Sequence, residues 1–278
     1  MKISSYVRLM RLHRPWPILL LLWPTLWALW IAGEGRPGIK NIIIFILGVL
    51  VMRSAGCVIN DIADRHFDRQ VKRTQKRPLA TGELSLQSAW VLFGLLVSIA
   101  LILVLQLNRL TLLLSPIALF LGMIYPFMKR YTYFPQLFLG LAWYMSIPMA
   151  FASVQGHLSW LALWIYLLAT LYAVIYDTFY AMADREDDLK AGIKSTAILF
   201  AQWDCFIIAI LQVIFILGFI ALGLSLNMKP FYYVCIAAAS AHFIYQQVLV
   251  RKHQAYIQAF INNHWVGAWI FLGFLLSY

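Results

Sequence analysis

The chain has 278 residues, of which 63% are hydrophobic and 12% charged, and it carries a formal net charge of +11 at pH 7. Charged residues usually make up about a quarter of a soluble globular chain, so this composition excludes an ordinary water-soluble domain. Apolar runs of roughly 18 residues or more are the mark of membrane spans. The three cysteines, Cys57, Cys205 and Cys235, fall in or beside apolar runs without a CxxC pair, which implies neither a disulfide framework nor a zinc site.

In chain order, a basic stretch, MKISSYVRLMRLHRPWP, leads into a first apolar segment near 16–33. No small-residue cleavage site follows it, so the segment is expected to span the membrane, not to serve as a signal peptide. The second segment, near 40–63, contains Arg53 and runs into NDIADRHFD, Asn60 to Asp68, followed by the basic loop VKRTQKRPLATG. Segments near 86–106, 110–128 and 132–153 come next, with YPFMK, Tyr125 to Lys129, at the end of the fourth. The sixth, near 160–183, closes in YAMADREDD, Tyr180 to Asp188, and then K-AGIKST. Segments near 203–225, 230–250 and 262–278 complete the chain, the last opened by Asn262, Asn263 and His264. Backbone polar groups cannot stay unpaired in lipid, and apolar runs of this length select helix over barrel strand. The expected fold is all-α: a polytopic membrane protein of about nine transmembrane helices, forming a single domain over 1–278.

Basic residues alternate across these segments. Lys2, Arg8, Arg11 and Arg14 would share one side with the loops after the second, fourth, sixth and eighth segments. The other side holds Arg36, Lys40, Arg109 and Lys229. The positive-inside rule makes the rich side, and the N-terminus, cytoplasmic. The net charge is then mostly a topology signal and calls for no nucleic-acid partner.

Acids are scarce and concentrated. Of eleven Asp plus Glu, most lie in two clusters: Asp61, Asp64 and Asp68, then Asp177, Asp184, Glu186, Asp187 and Asp188. Acids within membrane segments are costly and need compensation, and both clusters carry the same A-D-R-x-x-D pattern. On a helix, residues four apart share a face. Asn60 and Asp64 therefore point together, with Asp68 one turn on if the helix continues, and Tyr180, Asp184 and Asp188 follow the same spacing. His66, alone, is expected at the surface. An oxygen-only donor set suits Mg²⁺, which commonly uses one or two carboxylates plus substrate phosphates. Arg73, Arg77, Lys129 and Lys190 supply cations for a diphosphate, arginine as a planar fork and lysine as a point charge. A charged head held at a membrane face suggests an amphiphile such as a polyprenyl diphosphate. Asp204 stands apart from both clusters, and Asp204→Asn is expected to be mild.

These motifs resemble those of the UbiA superfamily of intramembrane aromatic prenyltransferases. The family's NDxxDxxxD element matches Asn60 to Asp68, its second aspartate motif matches Asp177 to Asp188, and its Y-x-x-x-K element matches Tyr125 to Lys129. LLLLWPTLWALW, RSAGCVIND, RPLATG, YPFMKRYT and KSTAILF are similar to the subgroup that prenylates 4-hydroxybenzoate in ubiquinone biosynthesis. The resemblance implies nine helices around a central cavity, capped by cytoplasmic loops, in a bacterial inner membrane. It implies Mg²⁺, and transfer of a polyprenyl group from polyprenyl diphosphate to the carbon ortho to the phenol. Carried over residue by residue, it makes Asn60, Asp64, Asp68, Asp184 and Asp188 the holders of metal and diphosphate, the four aspartates forming the catalytic set, with Tyr125 and Tyr180 beside the substrate. An acceptor carboxylate calls for an arginine in the cavity: Arg130 or Arg53, with Arg14 third. For Arg53 the competing expectation is an ion pair with a motif aspartate. One departure is Ala201, where the subgroup often has glycine; little is expected to depend on it. The rival readings are a sister enzyme acting on a menaquinone, haem O or chlorophyll precursor, and an ion-coupled transporter, whose acids would gather near mid-membrane. Chain length of the prenyl donor and oligomeric state are not legible in the sequence.

Overall fold

The computed structural model describes residues 2–13, 16–69 and 74–278. Arg14 and Arg73 lie outside them. The described residues form helices joined by short connections. A short N-terminal helix, α1 (Lys2–Leu9), precedes α2 (Trp16–Ala32) and α3 (Ile39–Asp64). A four-residue α4 (Pro78–Thr81) leads to α5 (Leu86–Val104) and α6 (Arg109–Tyr131), then α7 (Pro135–Trp143) and α8 (Ser146–Gln155). The long α9 (Trp160–Lys190) is followed by a short α10 (Thr196–Phe200), then α11 (Asp204–Ser225), α12 (Pro230–His253) and α13 (Tyr256–Ser277).

Eight of these segments, counting α7 with α8 and α10 with α11, are long and apolar enough to cross a membrane. α2 has 17 residues, at the lower end of the range of about 17–25 that spans a bilayer. With it, the described residues contain the nine apolar segments expected, and the protein is a multi-pass membrane protein. Helix starts follow local chemistry. Ser85, Asn108, Ser159 and Ser195 each accept a backbone N–H three residues on, opening α5, α6, α9 and α10, which satisfies one of the orphan donors of a first turn.

Three boundaries differ from the sequence expectation. The fifth segment is broken at Tyr144 and Met145, and Pro148 falls in the first turn of α8, where proline is tolerated. The sixth helix does not stop near 183 but continues through the second acid cluster to Lys190. The ninth begins at Tyr256, so Asn262, Asn263 and His264 lie inside it. They have partners there: Asn262 Oδ1 accepts from Gln246 Nε2 at 3.1 Å, and Gln246 in turn accepts from Gln212 at 3.0 Å. Buried amides so satisfied are compatible with lipid depth.

Two apolar clusters hold the bundle. In the larger, Trp27 of α2, Tyr172 of α9, Phe215 and Phe219 of α11 and Phe274 of α13 are fully buried. In the smaller, Leu9 joins Ala55, Val58, Leu79 and Phe93, tying α1 and α4 to α3 and α5. Lipid tails are as apolar as leucine, so close packing and interhelical hydrogen bonds, not water exclusion, drive association. Gly140 illustrates this: a Cβ there would stand 2.9 Å from the Thr170 carbonyl oxygen of α9.

Pro24 sits inside α2 and cannot bond the Leu20 carbonyl four residues back. The Tyr144 hydroxyl, at the break between α7 and α8, donates to that carbonyl at 3.1 Å. Pro116 in α6 is compensated similarly, since Ser115 Oγ donates to the Leu112 carbonyl at 2.8 Å.

Candidate active site

The first acid cluster sits at the C-terminal end of α3. The helix ends at Asp64, yet the Asp68 N–H still donates to the Asp64 carbonyl at 2.8 Å. Asp68 therefore stays one turn beyond Asp64, as the spacing required. The second cluster is carried by an unbroken helix, α9. A cavity of about 820 Å³ is lined by Asn60, Asp64 and Asp68 from the first cluster and by Asp177, Tyr180, Asp184 and Asp188 from the second. Tyr125, Lys129, Arg77 and Arg53 also line it. The structure thus brings most of the sequence-expected site residues to one place.

Arg130 and Lys190 are not in that lining. Arg130 is exposed; it donates to the Ala63 carbonyl at 2.6 Å, and its guanidinium lies over the rings of Phe67 and Phe127 at 5.2 and 5.1 Å. It steadies the end of α3. Lys190 is the exposed last residue of α9; Lys194, four residues on, lines the cavity instead.

The cavity's charges are arranged in pairs. Lys129 Nζ is bonded to Asp64 Oδ2. Arg77 Nη1 lies 3.0 and 2.8 Å from the two oxygens of Asp68 and 3.0 Å from Asp61 Oδ1. Arg11 reaches Asp61 Oδ1 at 2.5 Å. Asp61, 1% exposed, therefore holds two guanidinium groups at the cavity. Burial pushes the Asp68 carboxyl up from its ordinary value against the opposing pull of Arg77, and Asp61 and Asp64 push it further up. Asn60 Nδ2 donates to the Tyr125 hydroxyl at 3.2 Å, which leaves its amide oxygen as the atom suited to a cation. Arg11 was missed in the sequence because it reads there as one more N-terminal positive charge.

Among the described residues, no three His, Cys, Asp or Glu side chains form a ready-made metal cage. Acids of both clusters line a shared cavity. Mg²⁺ needs no such cage, since it keeps waters and takes phosphate oxygens from its substrate. Asp64 Oδ1 fits the role of a ligand: it is buried and has no hydrogen-bond partner among the described residues, while Oδ2 is held by Lys129.

A second cavity of about 340 Å³ is apolar, with Phe45, Val49, Met52, Phe93 and Val97 among its walls. Arg53, Tyr125 and Trp143 line both cavities. Arg53 is 4% exposed; its Nη1 donates to the Met10 carbonyl at 2.9 Å and approaches that of Arg11 at 3.4 Å. Its Nε is buried without a partner. The expected alternative for Arg53, an ion pair with a motif aspartate, is not what the structure contains: the guanidinium anchors the N-terminal segment.

An acid-lined cavity and an apolar one share three wall residues inside a helical membrane bundle, an arrangement that suits an amphiphile with a charged head. The UbiA prenyltransferase family model matches residues 21–275. The chain is 51% identical to the 4-hydroxybenzoate octaprenyltransferase of Coxiella burnetii (strain CbuK_Q154), covering all of this chain and 97% of that one. It is 52% identical to the protein of the same name from Alkalilimnicola ehrlichii, over 98% of this chain and 94% of that one. Its fold is similar to a UbiA homologue from Aeropyrum pernix K1, with a TM-score of 0.81 at 24% identity, covering 93% of this chain and 97% of that one. It is also similar to a UbiA homologue from Archaeoglobus fulgidus bound to GPP and Mg²⁺, with a TM-score of 0.74 at 19% identity, covering 97% and 99%. The chain belongs to the UbiA prenyltransferase family.

Proposed function

We propose that the protein transfers the polyprenyl group of a polyprenyl diphosphate to the ring carbon ortho to the hydroxyl of 4-hydroxybenzoate, in ubiquinone biosynthesis, with Mg²⁺ as cofactor. The observation that carries this reading is that Arg53, Tyr125 and Trp143 line both the acid-lined and the apolar cavity. The names of the Coxiella and Alkalilimnicola relatives support the acceptor, and the Archaeoglobus homologue's GPP and Mg²⁺ support the donor and the ion.

The diphosphate lies in the acid-lined cavity, facing Arg11, Arg77, Lys129 and Lys194, with Arg73 and Lys190 as the further cations the sequence offers. Asn60, Asp64, Asp68, Asp184 and Asp188 would hold the metal, with Asp64 Oδ1 as a first ligand. Mg²⁺ held there would supply positive charge against that developing on the leaving diphosphate. The prenyl tail enters the apolar cavity. The bond between the allylic carbon and the diphosphate oxygen breaks, the oxygen keeping the electron pair. The allylic carbon bonds to the acceptor ring, and that ring carbon then gives up its proton. Trp143 and Tyr125 wall the allylic carbon from water. Arg53 presents a buried Nε with no partner among the described residues, beside both cavities, and takes the acceptor carboxylate, the role the sequence left to Arg130 or Arg53, with Arg14 third. The acid-lined end faces the cytoplasm of a bacterial inner membrane, as the basic loops indicate.

The test is turnover of purified protein in lipid nanodiscs with a panel of prenyl diphosphates and acceptors. The expected result is a C-prenylated 4-hydroxybenzoate, formed one-for-one with released diphosphate and abolished by EDTA. Faster prenylation of a naphthoate or haem acceptor would assign the chain to a sister activity.

A further inference from the structure

Asp204 belongs to neither acid cluster and is not among the residues lining either cavity. It is nevertheless buried, 7% exposed, at the first position of α11. Its Oδ2 is ion-paired with Arg185 Nη2, and its Oδ1 accepts the Cys205 N–H at 2.5 Å. A carboxylate in a helix's first turn is also favoured by the helix dipole. Arg185 stands between Asp184 and Asp188 on the last turns of α9.

The two A-D-R-x-x-D copies diverge at this arginine. Among the described residues, Arg65, in the first copy, donates to its neighbour His66. The first cluster is instead held by Arg77 on Asp68 and by Arg130 on the end of α3. In the second copy, Arg185 is tied to a different helix. α11 is a firm post for that tie, because its Phe215 and Phe219 are fully buried in the larger core. Successive residues on a helix project about 100° apart, so a pin at Arg185 sets the rotation of the turns that bear Asp184 and Asp188.

We propose that Asp204 is a positioning residue: through Arg185 it fixes the rotation of the end of α9 so that Asp184 and Asp188 face the cavity and its cation. The inference rests on the reading that these two aspartates hold Mg²⁺. It reverses the expectation that Asp204→Asn is mild. Losing the carboxylate also strands a guanidinium whose Nε is already buried without a partner.

The test uses the full chain in nanodiscs and two readouts: Mn²⁺ binding, from loss of the free-ion EPR signal, and the Mg²⁺ concentration giving half-maximal turnover. Asp204→Asn and Arg185→Gln should each weaken Mn²⁺ binding and raise the Mg²⁺ requirement roughly tenfold, the scale on which groups orienting a metal ligand act. The KM for 4-hydroxybenzoate should stay within about twofold, and Asp204→Glu should recover most of the loss. Unchanged Mn²⁺ binding in Asp204→Asn and Arg185→Gln, beside clear weakening in Asp184→Asn, overturns the proposal while leaving the metal reading intact. Unchanged binding in Asp184→Asn overturns both. If Asp204→Asn does not fold, Arg185→Gln decides by the same criterion.

Discussion

Arg53 anchors the N-terminal segment and, in the proposed reading, also takes the acceptor carboxylate. Its Nη1 holds the carbonyls of Met10 and Arg11, while its Nε has no partner beside both cavities. Lysine keeps the charge but loses the planar fork. Arg53→Lys should therefore raise the KM for 4-hydroxybenzoate about tenfold or more and change the KM for the prenyl diphosphate by less than about twofold. An acceptor lacking the carboxylate should not distinguish the variant from the wild type. Arg130→Ala is the comparison: its guanidinium caps α3 and stacks on phenylalanines, so its effect on the acceptor KM should be smaller than that of Arg53→Lys. The reverse order would return the carboxylate to Arg130.

At the scale of elements, the compensations around proline and strained backbone carry measurable energy. Tyr144→Phe removes the donor to the carbonyl that Pro24 frees, and an orphaned buried acceptor costs about 1–3 kcal/mol. The variant should unfold at lower temperature in detergent; an unchanged midpoint would mean that the Leu20 carbonyl finds another donor. Ala201 has φ +48°, where glycine is favoured, so the departure expected to matter little falls at a strained turn into α11. Ala201→Gly should stabilise the protein by about 1 kcal/mol, read as a raised thermal midpoint. A lowered midpoint would show that the turn is not under strain. Helix existence was legible in the sequence because apolar length and capping residues are local properties. The break at Tyr144 and Met145 was less so: the run from 132 to 153 is predominantly apolar, and Pro148, just past the break, acts as a helix start. The beginning of α13 was placed late because Asn262 looks unfit for lipid until its partners on α12, His242 and Gln246, are seen.

For the whole molecule, the motif spacing placed Asn60, Asp64, Asp68, Tyr180, Asp184 and Asp188 around one cavity, because period and sidedness both follow from local pattern. Arg11 and Asp204 were illegible, since each draws its meaning from a partner 50 or 19 residues away in the chain. Sidedness itself is open to a direct test. In a variant lacking Cys57, Cys205 and Cys235, cysteines placed at Gln75 and Lys190 should be labelled only from the cytoplasm, and one at Gln155 only from outside. Labelling of 75 and 190 from opposite sides would separate the two acid clusters. The central claim, that both clusters serve one metal–diphosphate site, is tested most directly by a double-mutant cycle on Asp64→Asn and Asp184→Asn, measured as kcat/KM for the prenyl diphosphate at saturating 4-hydroxybenzoate. Residues acting as a unit are strongly non-additive, so each single variant should lose roughly a hundredfold or more and the double variant should fall within about tenfold of the worse single. Losses that simply multiply would mean that the two clusters act independently, and would contradict the shared site.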